Sequence, residues 1–429
     1  MELAIVLVFA VGYVLIAFEH SVQINKSATA LLTAVLCWTI YALASPAESI
    51  HHIGEQLEAH LGESAAIIFF LMSAMTIVEL IDAYQGFDLL TSRITTKNPK
   101  ILLWVVCSMA FALSAILDNL TTAIVMVSLV RKLISNKEMR LLFLGMIVIS
   151  ANAGGAWSPI GDVTTTMLWI GGQISALNIM ETLLLPSMVC MIVPLLYLQF
   201  TLKGSIGDRV TEDEKTAEPT KGSTLILTLG ILGLISVPIF KTLTHLPPYL
   251  GMLLVLGILW VVSELLNPHM DESERKPYTA AGALARIDIP SVLFFLGILL
   301  AVGALESIGI LGHFSGWLET TLKDNRLIIT LIGILSSVVD NVPLVAASTA
   351  MYSLERFPMD HMIWEYLAYC AGTGGSILII GSAAGVAVMG MEKIDFLWYL
   401  RRISLLACLG YLAGAIVYFI AYPYLAGHP

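Results

Sequence analysis

Long apolar segments recur along the whole chain, separated by shorter polar stretches. Many of them approach the roughly 20 residues that a helix needs to cross a bilayer, which predicts an all-α polytopic membrane protein. The first segment lacks a basic leader and a small-residue cleavage site, so we interpret it as a retained span. The predicted apolar segments are 3–18, 27–44, 64–83, 101–130, 141–170, 181–202, 224–240, 249–266, 289–308, 327–350, 363–390 and 403–421.

Two of these segments contain the same polar pair in an apolar setting. Asp118-Asn119 lies within "ALSAILDNLTTA", and Asp340-Asn341 lies within "LSSVVDNVPLVA". The piece that follows the first pair, 120–130, would extend only about 17 Å as a helix, against a hydrocarbon core of about 30 Å. Each segment is therefore either one kinked span or a re-entrant helical hairpin.

The positions of the basic residues separate these two topologies, because cytoplasmic loops are enriched in Lys and Arg. Two re-entrant hairpins put 18 of the 22 Lys and Arg residues on the cytoplasmic side, whereas two spans put only 10 of the 22 there. We therefore predict hairpins that enter from opposite sides, with the N-terminus outside. Seven basic residues flank the first hairpin: Arg93, Lys97, Lys100, Arg131, Lys132, Lys137 and Arg140. Four remain outside: Lys241, Lys323, Arg326 and Arg356.

The similarity between the two halves extends beyond the hairpins. "FFLMSAMTIVELID" at 69–82 precedes the first, and "FFLGILLAVGALES" at 294–307 precedes the second. After them, the Gly-rich stretches "SANAGGAWSPIGD" at 150–162 and "CAGTGGSILIIGS" at 370–382 each interrupt an apolar segment. These patterns predict two inverted-topology repeats, each with a re-entrant hairpin and a discontinuous transmembrane helix, a plan typical of secondary transporters.

The predicted organisation has four parts. N-terminal spans and a Glu- and His-rich interfacial segment cover 1–60, and the first inverted repeat covers 61–202. A polar loop and connecting spans cover 203–266, and the second repeat covers 267–429. The chain of 429 residues is 57% hydrophobic and only 13% charged, which agrees with a membrane protein and offers no basic patch for nucleic acid. We expect membrane lipid as its surroundings.

Polar side chains in the hairpin tips and broken helices are expected to meet around one wet cavity, because irregular backbone inside a membrane is tolerated where it lines a cavity. The first half would supply Ser114, Asp118, Asn119, Thr121, Thr122, Asn152, Ser158, Asp162, Thr164 and Thr165. The second half would supply Ser336, Ser337, Asp340, Asn341, Thr373, Ser376 and Ser382.

The predicted cavity contains as many as three carboxylates, from Asp118, Asp162 and Asp340, and no Lys or Arg was expected to face it. A small hard cation would find oxygen ligands there, and an anion would be repelled. Carboxylates held close together cannot all stay ionised without a cation, so protons compete with the metal ion for the same groups. The sequence therefore predicts cation/proton antiport, with no cofactor and no enzymatic activity.

Several of these residues also have a structural interpretation. Asp118 and Asp340 could cap the half-helices that follow them, and so could Asp162. Glu79 and Asp82 lie three residues apart near the predicted cytoplasmic end of their span. They are either part of a proton path or interfacial side chains held by hydrogen bonds.

Several motifs in order resemble the NhaD family of bacterial sodium/proton antiporters. They are "MTIVELID", "SAILDNLTTAIVM", "SANAGGAWSPIGDVTT", "SSVVDNVPLVAA" and "GTGGSILIIGSAAG". The resemblance implies exchange of Na⁺ or Li⁺ for H⁺ across the bacterial inner membrane by a multi-pass homodimer. It carries the family's polar site residues onto Ser114, Asp118, Asn119, Asn152, Asp162, Thr164, Thr165, Ser336, Asp340 and Asn341, followed by Thr373 and Ser376. Asp162 has no acidic counterpart in the second half, where Ser382 stands.

Two other functions are alternatives. The resemblance places the chain in the ion transporter superfamily, which also contains carriers of anions such as arsenite or dicarboxylates, for which neutral hairpin tips would be expected rather than aspartates. An intramembrane protease would also need two membrane aspartates. However, Asp162 lies in "SPIGD" rather than G-x-G-D, and no H-E-x-x-H motif occurs.

Overall fold

The computed structural model describes residues 1–17, 19–46, 49–87, 94, 96, 98–202, 222–266, 271, 275–338 and 340–425. All regular structure within these ranges is helical. The twenty α-helices are α1 Glu2–Ala17, α2 Glu19–Val22, α3 Lys26–Ala44, α4 Ile50–Ala83, α5 Pro99–Leu117, α6 Asn119–Leu133, α7 Lys137–Ala156, α8 Val163–Ile170, α9 Ala176–Thr201, α10 Ser223–Thr244, α11 Pro248–Leu266, α12 Ala280–Leu284, α13 Ile289–Ser307, α14 Ile310–Leu322, α15 Asn325–Leu335, α16 Asn341–Met351, α17 Met362–Gly374, α18 Ala383–Glu392, α19 Phe396–Arg402 and α20 Ser404–Leu425.

Nine of the described helices are long and apolar enough to cross a membrane. Apolar side chains that face outward from them, such as Leu43 and Phe200, suit contact with lipid tails rather than water. The protein is therefore an all-α multi-pass membrane protein, as predicted. Most of the predicted polar loop 203–223, and parts of the 267–288 connection, lie outside the described residues.

Helix α4 differs from its prediction. The Glu- and His-rich stretch was expected to form a separate interfacial segment, but its residues 50–62 are continuous with the following span in one helix of 34 residues. At 1.5 Å per residue this helix is about 51 Å long, well beyond the hydrocarbon core. No proline separates the polar stretch from the apolar one, so the helix continues through the change in polarity.

The four predicted interruptions are all present. Helices α5 and α6 are separated at Asp118, and α15 and α16 are separated by a break that ends at Asp340. The Gly-rich stretches separate α7 from α8 and α17 from α18. Each broken pair also packs on the other half of the chain, since α6 contacts α18 and α16 contacts α8. The polar breaks therefore meet at the contact between the halves.

The two halves repeat a serine contact at corresponding positions. Ser114 Oγ in α5 donates a hydrogen bond to the carbonyl oxygen of Ala151 at 2.6 Å. Ser336 Oγ, just after α15, donates to the carbonyl oxygen of Ala371 at 2.9 Å. Each bond joins the segment before an Asp-Asn pair to the next broken helix, α7 or α17. The same kind of contact therefore occurs beside both Asp-Asn breaks.

Two glycines let the same helices approach closely. A Cβ atom added to Gly154 would lie 2.3 Å from the carbonyl oxygen of Phe111, and one added to Gly374 would lie 2.0 Å from that of Gly333. Real Cβ atoms do not approach so closely, so backbone packs directly on backbone at both positions. This close approach positions the tips beside the Gly-rich breaks.

Candidate functional site

The polar breaks enclose a cavity of about 70 Å³. Its wall includes the carboxylates of Asp118, Asp162 and Asp340, so three acidic groups from both halves face one space, as predicted. The wall also includes Lys26 from the start of α3. Other lining residues are Ala74, Met75, Asn119, Thr121, Thr166, Ser291, Phe295 and Asn341.

Asp118 is the N-cap residue of α6. Its two carboxylate oxygens accept hydrogen bonds from the backbone N–H and from Oγ1 of Thr121, both at 2.8 Å. Its backbone has φ 95° and ψ 160°, a region that residues other than glycine rarely adopt. This unfavourable backbone conformation places the Asp118 carboxylate in the cavity while it caps α6.

Asp340 is the N-cap residue of α16, and its carboxylate accepts from the backbone N–H of Val342 at 3.4 Å. It also forms an ion pair with Lys26, whose Nζ lies 2.8 Å from Oδ2. The expectation that no basic residue faces the cavity is therefore wrong. Lys26 does begin a helix next to a connection, as the sequence suggested, but its long side chain extends from that end to the carboxylate.

Asp162 is buried, with only 2% of its surface exposed. It precedes α8, but its side chain makes no capping hydrogen bond. Instead, Oδ2 accepts from Thr164 Oγ1 at 3.0 Å and from Asn341 Nδ2 at 3.1 Å. The Asn341 bond links the second tip to the first broken helix. Within the described residues neither Asp162 nor Asp118 takes part in an ion pair.

Asn152 connects the two halves beside the cavity. Its Oδ1 accepts a hydrogen bond from Asn119 Nδ2 at 3.0 Å, and its Nδ2 donates to Ser376 Oγ and Ser382 Oγ, both at 2.9 Å. The side chain is fully buried. The sequence predicted that these residues would come together, and the structure joins them in one network.

Other predicted site residues are bonded to backbone. Besides Ser114 and Ser336, the hydroxyls of Ser158, Thr165, Ser337 and Thr373 donate to the carbonyl oxygens of Ala115, Asp162, Ile334 and Tyr369 respectively. The hydroxyl of Thr122 is buried and has no hydrogen-bond partner among the described residues. The bonded hydroxyls support the breaks in this conformation, and neither they nor Thr122 line the cavity.

Three polar lining residues were not predicted. Lys26 was assigned to a loop or span end, Thr166 directly follows the predicted Thr164-Thr165 pair, and Ser291 lies near the start of α13. A lysine placed directly before an apolar segment was the signal available for the first. In this conformation, no three His, Cys, Asp or Glu side chains of the described part come close enough to hold one metal ion together. The three aspartates share a cavity without converging on one point.

Two further spaces lie along α4 on either side of this cavity. The larger, about 590 Å³, is lined by His60, Glu63 and Ile67 of α4 together with Glu306, and we call it the N-terminal vestibule. The smaller, about 150 Å³, is lined by Glu79 and Asp82, and we call it the C-terminal vestibule. Cavity residues 70–75 lie between the two sets on the same helix.

The C-terminal vestibule adjoins the cavity directly, because Thr121 lines both. The carboxylate of Glu79 is paired with Arg286, with Nε at 3.2 Å from Oε2 and both side chains roughly one-third exposed. Among the residues that the structure describes, none lines both the cavity and the N-terminal vestibule. The predicted proton-path residues are thus placed next to the site, at one end only.

Comparison with known proteins gives consistent relatives. A sequence profile described as citrate transporter (CitMHS) matches residues 13–368. Sodium/proton antiporter 1 of Arabidopsis thaliana is 50% identical over 97% of this chain and 72% of its own length. The Na(+)/H(+) antiporter NhaD of Vibrio cholerae is 32% identical over 97% of this chain and 91% of its own length. The chain belongs to the NhaD-type sodium/proton antiporter family.

Membership of the NhaD-type family confirms the resemblance inferred from the tip and Gly-rich motifs. The family and its named members are transporters, so the chain is a transporter. The profile's description names an anion, whereas the relatives are named for cations. The charge of the cavity wall indicates which of these two substrate classes, anions or cations, the site suits.

Proposed function

We propose that this protein is a secondary active transporter that exchanges Na⁺ for H⁺ at the cavity between Asp118, Asp162 and Asp340. The observation that carries the proposal is that three carboxylates from both halves line one cavity, whose described lining residues include one ammonium group, that of Lys26. Carboxylate, amide and hydroxyl oxygens suit Na⁺, and the surplus negative charge opposes a citrate-like anion. Protons compete with Na⁺ for the same carboxylates, and this competition couples the two fluxes.

We infer that the two halves are inverted repeats with re-entrant tips. The repeated serine and glycine contacts support the internal repeat. For orientation, two basic residues that the predicted topology assigns to opposite sides lie at different ends of α4. Arg286, assigned to the cytoplasm, pairs with Glu79 near the C-terminal end. Lys241, assigned to the outside, donates to the carbonyl oxygen of Trp169, whose neighbour Ile170 lines the N-terminal vestibule. The C-terminal end would face the cytoplasm by the positive-inside rule.

Further basic residues agree with that cytoplasmic assignment. Arg131, after the first tip, and Arg140 both donate to the buried carboxylate of Glu392, the second at 3.0 Å. Lys132 lines the C-terminal vestibule together with Glu79. Arg93 and Lys97, which the topology also assigns to the cytoplasm, lie outside the described residues. The limits of the four predicted parts of the chain remain predictions.

We further propose alternating access along α4. In this conformation the cavity adjoins the cytoplasmic C-terminal vestibule through Thr121, whereas no described residue lines both the cavity and the N-terminal vestibule. The arrangement fits a state that exchanges ions with the cytoplasm. Glu79 and Asp82 line that route, which supports their assignment to the proton path. Exposure to the other side would require the tips to shift against α4.

The family resemblance extends the proposal to Li⁺ transport and to a homodimer. Since the relatives include proteins of both Arabidopsis and Vibrio, the bacterial inner membrane remains a prediction about the setting of this chain.

The central test uses purified protein in proteoliposomes with an imposed pH gradient. Added Na⁺ should dissipate the gradient with the parent protein and fail to do so with Asp118→Asn, Asp162→Asn or Asp340→Asn. Asparagine retains a capping oxygen and removes only the charge. The matched control is Asp324→Asn, because Asp324 caps α15 by accepting from Arg326 N at 2.8 Å, outside the cavity.

Three outcomes would contradict the proposal. They are normal exchange by all three cavity variants, equal loss in the Asp324→Asn control, and a gradient that responds to citrate as its Na⁺-free salt but not to Na⁺. The last would support the anion carrier named by the family profile.

Topology is tested separately by cysteine labelling. Ser135 and Glu355 are exposed, and the five native cysteines are buried or half-buried. Ser135→Cys should react with an impermeant maleimide only from the cytoplasm, and Glu355→Cys only from outside. Reaction of both from the same side would rule out the opposed tips.

A further inference from the structure

The two tips hold their carboxylates in different ways. Asp118 receives both of its short hydrogen bonds from Thr121, one from the backbone N–H and one from the hydroxyl. The corresponding residue of the second tip, three positions after Asp340, is Pro343, which has neither donor. The second tip therefore lacks both of these donors, and its own backbone donor, the N–H of Val342, lies 3.4 Å from the Asp340 carboxylate. In the structure, the Lys26 ammonium takes their place at 2.8 Å from Asp340.

Lys26 belongs to a different part of the protein from the carboxylate that it contacts. Its backbone N–H donates to Glu19 at 3.1 Å, and the neighbouring Ser27 Oγ donates to the carbonyl oxygen of Pro290 at 2.6 Å, so the start of α3 is tied to the start of α13. The lysine reaches Asp340 through its side chain alone, passing over the ring of Phe294 with Nζ 4.4 Å from the ring centre. Such a contact can break without disturbing the packing of α3 on α13.

The ammonium group of Lys26 also lies beside Asp340, where a transported cation would bind. Lys26 and Asp340 both line the cavity, and the two side chains are 24% and 14% exposed, so the pair is largely withdrawn from water. A carboxylate that is largely buried, ionised and unpaired is strongly unfavourable. When Na⁺ leaves Asp340, a proton or another cation therefore has to neutralise the group, and Lys26 is the cation that the structure places there.

We propose that the Lys26 ammonium is a tethered substitute for Na⁺ at Asp340: it pairs with the carboxylate in the empty carrier and is displaced when Na⁺ binds. This inference rests on the proposed function. It assigns Lys26 two effects. Competition weakens the binding of Na⁺ at Asp340, and pairing keeps Asp340 neutralised while the carrier returns without Na⁺.

The test compares Lys26→Met with Lys26→Arg in proteoliposomes at one fixed pH. Methionine keeps an unbranched side chain without the charge, so it removes the competitor. If the lysine occupies Asp340 about nine-tenths of the time, its removal lowers the half-saturating Na⁺ concentration by about tenfold. Arginine can bind a carboxylate through two parallel hydrogen bonds, so it competes more strongly and raises that concentration.

Two transport measurements distinguish the two effects of Lys26, competition with Na⁺ and neutralisation of Asp340 during the return without Na⁺. In ²²Na⁺ counterflow, Na⁺ occupies the carrier in both directions, and Lys26→Met should keep its rate. In net Na⁺/H⁺ exchange the carrier returns without Na⁺, and the same variant should be slowed at least severalfold. The matched control is Lys241→Met, a partly buried lysine that contacts Trp169 outside the cavity and should change neither measurement.

The outcomes distinguish this inference from the proposed function. If the parent protein shows no Na⁺ counterflow, the proposed function itself fails. If the parent transports Na⁺ but both Lys26 variants raise the half-saturating concentration, Lys26 only positions Asp340, and the inference is wrong. An unchanged value in folded Lys26→Met would also overturn it. If Lys26→Met does not fold, Lys26→Arg alone still tests the inference, because it is expected to raise the half-saturating Na⁺ concentration. A Lys26→Arg variant that binds Na⁺ as tightly as the parent would refute competition.

Discussion

Replacement of Asn152 by alanine is expected to weaken the contact between the two halves of the protein. The buried amide of Asn152 makes three hydrogen bonds, one with Asn119 beside the first tip and two with Ser376 and Ser382 around the second Gly-rich break. Alanine removes all three and leaves the Asn119 amide without its acceptor. No other single side chain described above joins these elements.

The size of the effect follows from those three bonds. Side-chain hydrogen bonds between membrane helices contribute on average about 0.6 kcal/mol each, which gives about 2 kcal/mol for the network. A value near 1 kcal/mol per bond, as in soluble proteins, gives about 3 kcal/mol. Because each 1.4 kcal/mol corresponds to a factor of ten, the unfolding equilibrium constant should rise by roughly 30-fold to 140-fold.

The assay is the free energy of unfolding measured by denaturant titration in detergent, for Asn152→Ala, Asn119→Ala and the double variant. The two sites share a bond, so the double variant should lose less than the sum of the single losses, by about 0.5 kcal/mol or more. Asn136→Ala is the control: it removes an exposed cap of α7 that accepts from Met139 N at 3.1 Å. Strict additivity, or an Asn152→Ala variant as stable as the parent, would refute the network's contribution.

Two further predictions concern packing and pH. Gly154→Ala would put a Cβ atom 2.3 Å from the carbonyl oxygen of Phe111, so we expect the variant to lose about 1–3 kcal/mol of stability. The control Gly390→Ala, whose Cβ atom would have no neighbour within 4 Å, should gain up to about 1 kcal/mol. Equal melting temperatures for the two variants would contradict the close helix contact. His361 caps α17 by accepting from Ile363 N through Nδ1 at 3.2 Å, and burial lowers its pKa. Its folded pKa lies below the unfolded one, so its contribution should be complete above about pH 6.5 and be lost as the pH falls through the lower folded pKa. The melting temperature should therefore fall more between pH 8 and pH 5 in the parent than in His361→Asn, which keeps a capping oxygen that does not titrate, and an equal fall would refute the role of the ring.

The helices and their interruptions could be predicted because both depend on local chemistry. Apolar runs of spanning length have few alternatives to a helix in a bilayer. A polar pair such as Asp118-Asn119, or a run such as "SANAGGAWSPIGD", changes that local preference and so marks the break. The length of α4 was mispredicted for the converse reason. Its polar first part, 50–62, suggested a separate element, yet polarity alone does not end a helix when no strong helix breaker is present.

The sequence predicted most of the polar residues that line the site, but only some of the contacts between them. Asp118, Asp162 and Asp340 could be found because intramembrane carboxylates are costly and so indicate function. The Lys26–Asp340 pair could not, because it joins residues 314 positions apart and depends on the packing of α3 against α13. Counting basic residues by loop assigns each to a side of the membrane, but it does not say how far a lysine side chain extends from the end of its helix.

The backbone of Asp118 shows why the first tip is more than a helix cap. A non-glycine residue at φ 95° and ψ 160° costs of order 1–3 kcal/mol. Glycine would adopt this conformation without strain and is only a few tenths of a kcal/mol poorer than asparagine as an N-cap. A position that served the helix alone would therefore favour glycine. The sequence instead keeps a side chain whose carboxylate faces the cavity, while Asp340 reaches the same cavity with unstrained φ −48°. The strain at Asp118 is thus borne for the carboxylate itself, which fits a group that binds cations and protons in turn.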